Sequence, residues 1–221
     1  MAVLPRPAAR CIAVLGGSFD PVHDGHVALG SHFVALLHPH ELRLIPTGNP
    51  WQKHSLQATP AQRVDMLRLA FDQQHVPVVI DQQEIRRTSA TYTIDTLRAL
   101  RAGFGPEVSI AFLMGADQLQ HLDTWQSWQR LFDYAHLCTA SRPGIDASQV
   151  PHAVMQEFTR RAGTAKEIRS TAHGKACLAS SLDLDISSTS IRTLLQRGER
   201  PESLVPARVL DYIERHHLYQ N

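Results

Sequence analysis

Gly16-Gly17-Ser18-Phe19-Asp20-Pro21-Val22-His23-Asp24-Gly25-His26 decides how the rest of the chain is read. The apolar run Cys11-Ile12-Ala13-Val14-Leu15 precedes it, and an apolar-patterned stretch from Val27 to Leu37 follows. That order spells strand, glycine turn, helix start. Gly16 and Gly17 let the backbone come close to a ligand because no Cβ intervenes. A helix N-terminus adds free N–H groups and the positive end of the helix dipole, which together suit a phosphate. His23 and His26 stand where that helix begins, and two imidazoles at a phosphate-sized site point to chemistry on the phosphate. The plainer alternative is a structural turn carrying two surface histidines.

Outward from this junction, apolar runs alternate with helix-patterned segments. Strands are expected at Ile12–Leu15, Glu41–Ile45, Val76–Ile80, Val108–Met114 and Tyr134–Thr139, with a weaker one at Ala176–Ser180. Thr59-Pro60-Ala61-Gln62 supplies an N-cap, a first-position proline and a capping glutamine, and Val64, Leu67 and Phe71 then mark one apolar face. A second helix is expected from Thr91 to Leu100, capped by Ser and Thr, with Ile94 and Leu97 on one side. Short apolar strands alternating with helices imply an α/β fold with a parallel sheet covered on both faces. Ligands of such sheets sit beyond the carboxyl ends of the strands, at the switch point. Arg142 to His173, rich in charge and broken by Pro143-Gly144, is read as the loosest stretch, a lid or an irregular insertion.

The composition narrows the class. The chain has 221 residues, enough for one α/β domain, and a formal charge of +1, which argues against a nucleic-acid-binding face. No apolar run approaches the roughly 18–20 residues that span a bilayer. Residues 1–10 are read as a disordered lead-in and 11–221 as a single domain. Cys11, Cys138 and Cys177 are widely spaced without a Cys-x-x-Cys, as in a reducing cytoplasm. Cys11 and Cys138 fall in expected strands as small inert thiols. Thirteen histidines are mostly scattered, with His38/His40 and His216/His217 on surface turns or the last helix, and no metal site is assigned.

Other motifs fall at expected strand ends. Ile186-Ser187-Ser188-Thr189-Ser190-Ile191-Arg192 opens a helix dense in hydroxyls and free of acid in its first turn. Open N–H groups there suit an anion, and Arg192 adds a planar charged fork; the alternative is an ordinary Ser-capped helix with a solvated Arg. Ile45-Pro46-Thr47-Gly48-Asn49-Pro50-Trp51-Gln52-Lys53 is a loop that places Lys53 within reach of a phosphate. Met114-Gly115-Ala116-Asp117 ends a strand and starts a helix, with Gly115 and Asp117 as nucleotide contacts and Asp117 also a candidate N-cap. Arg142 after the fifth strand is a weaker candidate of the same kind.

Gly-Gly-Ser-Phe-Asp-Pro-x-His-x-Gly-His resembles the signature of the nucleotidylyltransferase superfamily with the His-x-Gly-His motif, and Ile-Ser-Ser-Thr-x-Ile-Arg resembles its second phosphate-binding signature. Ser89-Ala90-Thr91-Tyr92-Thr93-Ile94-Asp95-Thr96-Leu97 is similar to the Ser-x-Thr-x-x-Thr-Leu segment of bacterial nicotinate-nucleotide adenylyltransferases, and Thr124-Trp125 to their Thr-Trp. The likeness runs from Ile12 to Tyr219. One departure is Gln52, where the family often has His before the Lys.

The resemblance implies a Rossmann-like doubly wound sheet with a small C-terminal helical part. It implies transfer of AMP from ATP to nicotinate mononucleotide, giving deamido-NAD and pyrophosphate in NAD biosynthesis, with Mg²⁺ carried by ATP. His23, His26, Lys53 and Arg192 would serve catalysis. Gly16, Gly17, Ser18, Phe19, Gly115, Asp117, Arg142, Ile186, Ser187 and Ser188 would hold ATP. Thr91, Tyr92 and Trp125 would hold the mononucleotide, Trp125 by stacking under the pyridinium ring, although Trp125 also reads as a core aromatic, as Trp128 does more plainly. Small-molecule partners are expected, with no nucleic acid and no membrane, in the cytoplasm. Nicotinamide mononucleotide, another phosphate-bearing acceptor, and a non-catalytic ATP sensor are the competing readings.

Overall fold

A computed structural model describes residues 10–48, 56–140, 149–179 and 186–220. Six parallel strands form one sheet in the order β3-β2-β1-β4-β5-β6. They are β1 (Cys11–Gly17), β2 (Glu41–Pro46), β3 (Val78–Ile80), β4 (Ser109–Gly115), β5 (His136–Ala140) and β6 (Ala176–Ala179). The helices are α1 (Asp24–Leu37), α2 (Pro60–Ala70), α3 (Thr93–Phe104), α4 (His152–Arg160), α5 (Ala165–Ser170), α6 (Ser188–Gln196) and α7 (Ala207–Arg215). This is the Rossmann-like α/β order, and it reverses direction between β1 and β4, where a crevice opens at the strands' carboxyl ends.

Strand alternation explains why both faces are covered. Ala13 and Leu15 of β1, Leu42 and Leu44 of β2, and Ala111 and Leu113 of β4 point to one face. There they meet Leu29, Phe33 and Leu37 of α1 and Val209, Leu210 and Ile213 of α7. Ile12, Val14, Ile110, Phe112 and Met114 point to the other face, against Ile94, Leu97 and Leu100 of α3. The C-terminal helices α6 and α7 thus share the core of α1 and α2. Trp128 is buried on the opposite face, as its core reading required.

Local signals held at α2, where Thr59 Oγ1 accepts from Gln62 N–H and the Gln62 side chain reaches back to Thr59. At α3 the expected Ser and Thr caps are absent. The N-cap is Tyr92, with no side-chain cap bond, and Thr91, Tyr92 and Thr93 belong to the cavity wall described below. The described part of the stretch expected to be loose, 149–173, is mostly helix. Within 149–173, Val154 and Phe158 of α4 and Ile168 of α5 are buried, and Arg101 and Ser109 donate to the carbonyls of Ala172 and Ile168 at 2.8 and 2.7 Å. Its charges misled because they lie on the solvent side of two short amphipathic helices. Residues 141–148 lie outside the described residues.

Residues 1–9 of the expected lead-in also lie outside them, whereas Arg10 is tied down, donating to Glu41 at 3.1 Å and accepting Ser109 N–H through its carbonyl. The three cysteines are free thiols. Cys11 is raised by burial, and Cys138 by its bond to Cys177 and by burial, while that same bond holds Cys177 down to about 7. No helix among the described residues is long and apolar enough to cross a membrane.

Candidate active site

The crevice between β1 and β4 widens into a cavity of about 850 Å³. Its floor at β1 is the turn Gly16-Gly17-Ser18, followed by His23 and His26 at the start of α1. A Cβ on Gly17 would press on the Phe19 ring at 3.2 Å, so this turn needs glycine for packing as well as for access. Phe19 itself is fully buried, in the left-handed region at φ 49°, and does not line the cavity. Its ring stands edge-on to His26 at 4.9 Å, so it supports the histidine from behind. The two imidazoles lie 3.7 Å apart between centroids.

His26 Nδ1 accepts the backbone N–H of His23 at 3.3 Å. An accepting Nδ1 carries no proton, which leaves the neutral ring protonated at Nε2. The backbone of the turn therefore sets the tautomer that presents an Nε2–H donor.

Three side-chain clamps fix the loop 18–21. Arg63 of α2, wholly buried and its basicity lowered by that burial, donates through Nη1 to Ser18 O at 2.8 Å. Arg192 of α6 donates through Nη1 to Asp20 O at 2.6 Å and through Nη2 to Thr189 Oγ1 at 3.2 Å. Ser188 Oγ donates to Pro21 O at 3.0 Å. The Asp20 carboxylate accepts Gln57 N–H, Ala58 N–H and the Tyr219 hydroxyl, the last at 2.7 Å. The Asp20–Pro21 peptide is cis. Arg192 is not among the residues that line the cavity; one of its described hydrogen bonds goes to the loop and the other to Thr189 of its own helix.

Ile186, Ser187 and Ser188 line the cavity at the start of α6, where Ser187 caps the helix by accepting Ser190 N–H at 3.1 Å. Gly115 and Asp117 enter from the end of β4. Gly115, not Asp117, is the N-cap of the 3₁₀ segment Ala116–Thr124, and a Cβ on it would meet Asp117 Oδ1. Thr91, Tyr92 and Trp125 line the same cavity, and Trp125 meets Phe112 edge-on at 6.5 Å. Trp125 is half-buried, both a rim of the core and a cavity wall. Lys53, Gln52 and Arg142 lie outside the described residues.

Sequence reading missed Glu84. It is buried, lines the cavity, and its Oε1 accepts the Thr96 hydroxyl at 2.6 Å. Burial pushes its carboxyl up to about 7, against the lowering effects of Thr96 and Arg87. Gly48 packs so closely on the Glu84 carbonyl that a Cβ there would overlap it. Glu84 stands in a polar run, Gln82-Gln83-Glu84, which gives no sign of burial in the sequence. The buried cation Arg63 was missed for a different reason: it is the one charged member of a helix face that is otherwise apolar, where an arginine reads as solvated.

A switch-point crevice with a glycine turn, two helix N-termini and paired histidines defines a nucleotide-handling α/β protein. The cytidylyltransferase-like family model matches residues 14–194. A protein of Herminiimonas arsenicoxydans named "Probable nicotinate-nucleotide adenylyltransferase" is 65% identical over 98% of this chain and 100% of its own. One of the same name from Laribacter hongkongensis is 42% identical over 100% and 98%. The solved nicotinic acid mononucleotide adenylyltransferase of Plasmodium falciparum, complexed with NaAD, superposes with a TM-score of 0.75 at 18% identity, over 95% of this chain and 97% of that one, which shows the shared fold. The chain belongs to the cytidylyltransferase-like nucleotidyltransferases and, among them, to the nicotinate-nucleotide adenylyltransferases.

Proposed function

We propose that this chain transfers AMP from ATP to nicotinate mononucleotide in the cavity at the β1–β4 switch point, releasing pyrophosphate. The observation that carries the reading is the His26 tautomer, an Nε2–H donor beside a glycine turn and a helix N-terminus. The mononucleotide's phosphate attacks the α-phosphorus in line, and no covalent nucleophile on the protein is required. Positioning and charge stabilisation carry such a transfer. His26 donates to the α-phosphate as charge builds there, and His23 steadies the remaining phosphates. Lys53, Ser188 and the Arg192 charge favour the departing pyrophosphate, Arg192 also by holding the loop that carries the histidines.

Mg²⁺ enters on the ATP phosphates as part of the substrate. The described residues offer no group of three His, Cys, Asp or Glu side chains to hold it, so no protein ligand set is assigned. Gly115, Asp117, Ser187 and, beyond the described residues, Arg142 complete the ATP side. Trp125 lies under the pyridinium ring, and N–H groups near Tyr92, at the start of α3, face its carboxylate. The reaction belongs in the cytoplasm, which suits three free thiols.

The test is pyrophosphate release from ATP with nicotinate and with nicotinamide mononucleotide, side by side. The nicotinate compound should react at least about tenfold more efficiently, the cost of setting an amide NH₂ against donors. Trp125→Ala should raise KM for both while leaving their ratio nearly intact. Equal efficiency in the unmodified protein would overturn the nicotinate assignment, and ATP binding without turnover would favour a sensor.

A further inference from the structure

Glu84 occupies an unexpected place for an acidic side chain. It is only 7% exposed, yet it lines the cavity that takes an anionic substrate. Its position is fixed from both sides. Gly48 presses on its backbone carbonyl, and the Thr96 hydroxyl donates to Oε1 at 2.6 Å. Thr96 lies one turn into α3, and its N–H bonds the Tyr92 carbonyl at 3.3 Å. Glu84 is therefore two hydrogen bonds, through Thr96, from Tyr92 in the segment 91–92 that, on the reading above, receives the pyridine substituent.

We propose that Glu84 is a specificity-determining residue that tells the acid mononucleotide from the amide by its own protonation state. A protonated carboxyl carries an O–H and can donate to a nicotinate carboxylate. An ionised carboxylate can only accept: it repels the acid and welcomes the NH₂ of the amide. Preference for the acid should thus fall as pH rises through the titration of Glu84. The buried carboxyl titrates near 7, so the change lies in the working range. The charged groups that face it among the described residues are Asp81 and Arg87 from its own segment and Arg63 from α2; α3 presents the neutral Thr96. Asp81 is paired with Arg43 at 2.9 Å. The inference rests on the nicotinate reading.

The experiment measures kcat/KM for both mononucleotides from about pH 6 to about pH 8.5. The 5′-phosphate and ATP titrate alike in both reactions and cancel in the ratio. In the unmodified protein the acid-to-amide ratio should fall at least about fivefold across this range. In Glu84→Gln, which cannot ionise, the ratio should vary by less than about twofold. Thr96→Val removes the donor that favours the ionised form, so it should move the midpoint of the ratio upward; a merely structural contact would leave the midpoint in place. A flat ratio in the unmodified protein with brisk turnover, an unchanged slope in Glu84→Gln, or an unmoved midpoint in Thr96→Val would each overturn the role of Glu84. Turnover of neither mononucleotide would instead overturn the nicotinate reading beneath it.

Discussion

A histidine contributes to phosphate chemistry only if the right nitrogen holds the proton, and here the backbone makes that choice. His23 N–H occupies His26 Nδ1, and Phe19 closes the ring from behind, so Nε2 is the donor. His26→Ala should fold normally and lose roughly 100-fold or more in kcat, the cost of removing one preorganised donor at developing charge. Steady-state rates together with a thermal melt check this, and near-normal turnover would remove His26 from the mechanism. Arg192→Lys should raise the ATP KM and lower kcat/KM about tenfold. An ammonium cannot hold both the Asp20 carbonyl and Thr189 Oγ1 as a planar fork does. Unchanged ATP kinetics would leave Arg192 as a surface residue on a capped helix. At this scale the histidines and the hydroxyl-rich turn were legible because contiguous motifs carry them. Phe19 and Arg192 were legible as important, but not as supports for a loop, since that depends on which backbone atoms come near.

Among the helices that start on a hydroxyl cap, α2 and α6 should answer differently to its removal. Thr59 caps α2 and Ser187 caps α6, each accepting from a backbone N–H three residues on. Replacing either by Ala should cost about 1 kcal/mol of stability. Ser187 lines the cavity and Thr59 does not, so only Ser187→Ala should also raise the ATP KM. Denaturant melts paired with ATP titrations make the comparison, and equal KM values in the two variants would take α6 out of the ATP site. Strand positions were legible from short apolar runs because a parallel sheet buries both faces, and Cys11–Gly17 appears nearly as expected. The caps of α3 and the order of 149–173 were not. Tyr92 starts its helix without a side-chain cap, and α4 and α5 bury only Val154, Phe158 and Ile168, too few residues to stand out against their charges.

Stability of the whole molecule carries two buried titratable groups that pull in opposite directions with pH. His136 lies fully buried in β5, its Nδ1 accepting Lys175 N–H at 3.0 Å and its Nε2–H donating to Thr171 O at 2.9 Å. Burial lowers its pKa from 6.5 to about 4, so it favours the neutral ring. A group whose folded pKa is depressed contributes stability that is present above the unfolded value and lost as pH falls through the folded one. His136 therefore weakens the fold as pH drops from about 6.5 to about 4. Glu84 is the reverse case. Its folded pKa is raised from 4.5 to about 7, so its contribution is full below about 4.5 and lost as pH rises through about 7. Each amounts to roughly 3 kcal/mol over nearly the same window, and the two largely cancel. Compared with the unmodified protein at each pH, His136→Gln should gain relative stability on acidification from about pH 7 to about pH 4.5, and Glu84→Gln should lose it. Carboxylates that all three proteins share titrate alike and drop out of the difference. Urea unfolding at several pH values measures both slopes. Parallel curves for all three proteins would mean that neither group is held in the buried, shifted state that the fold gives it.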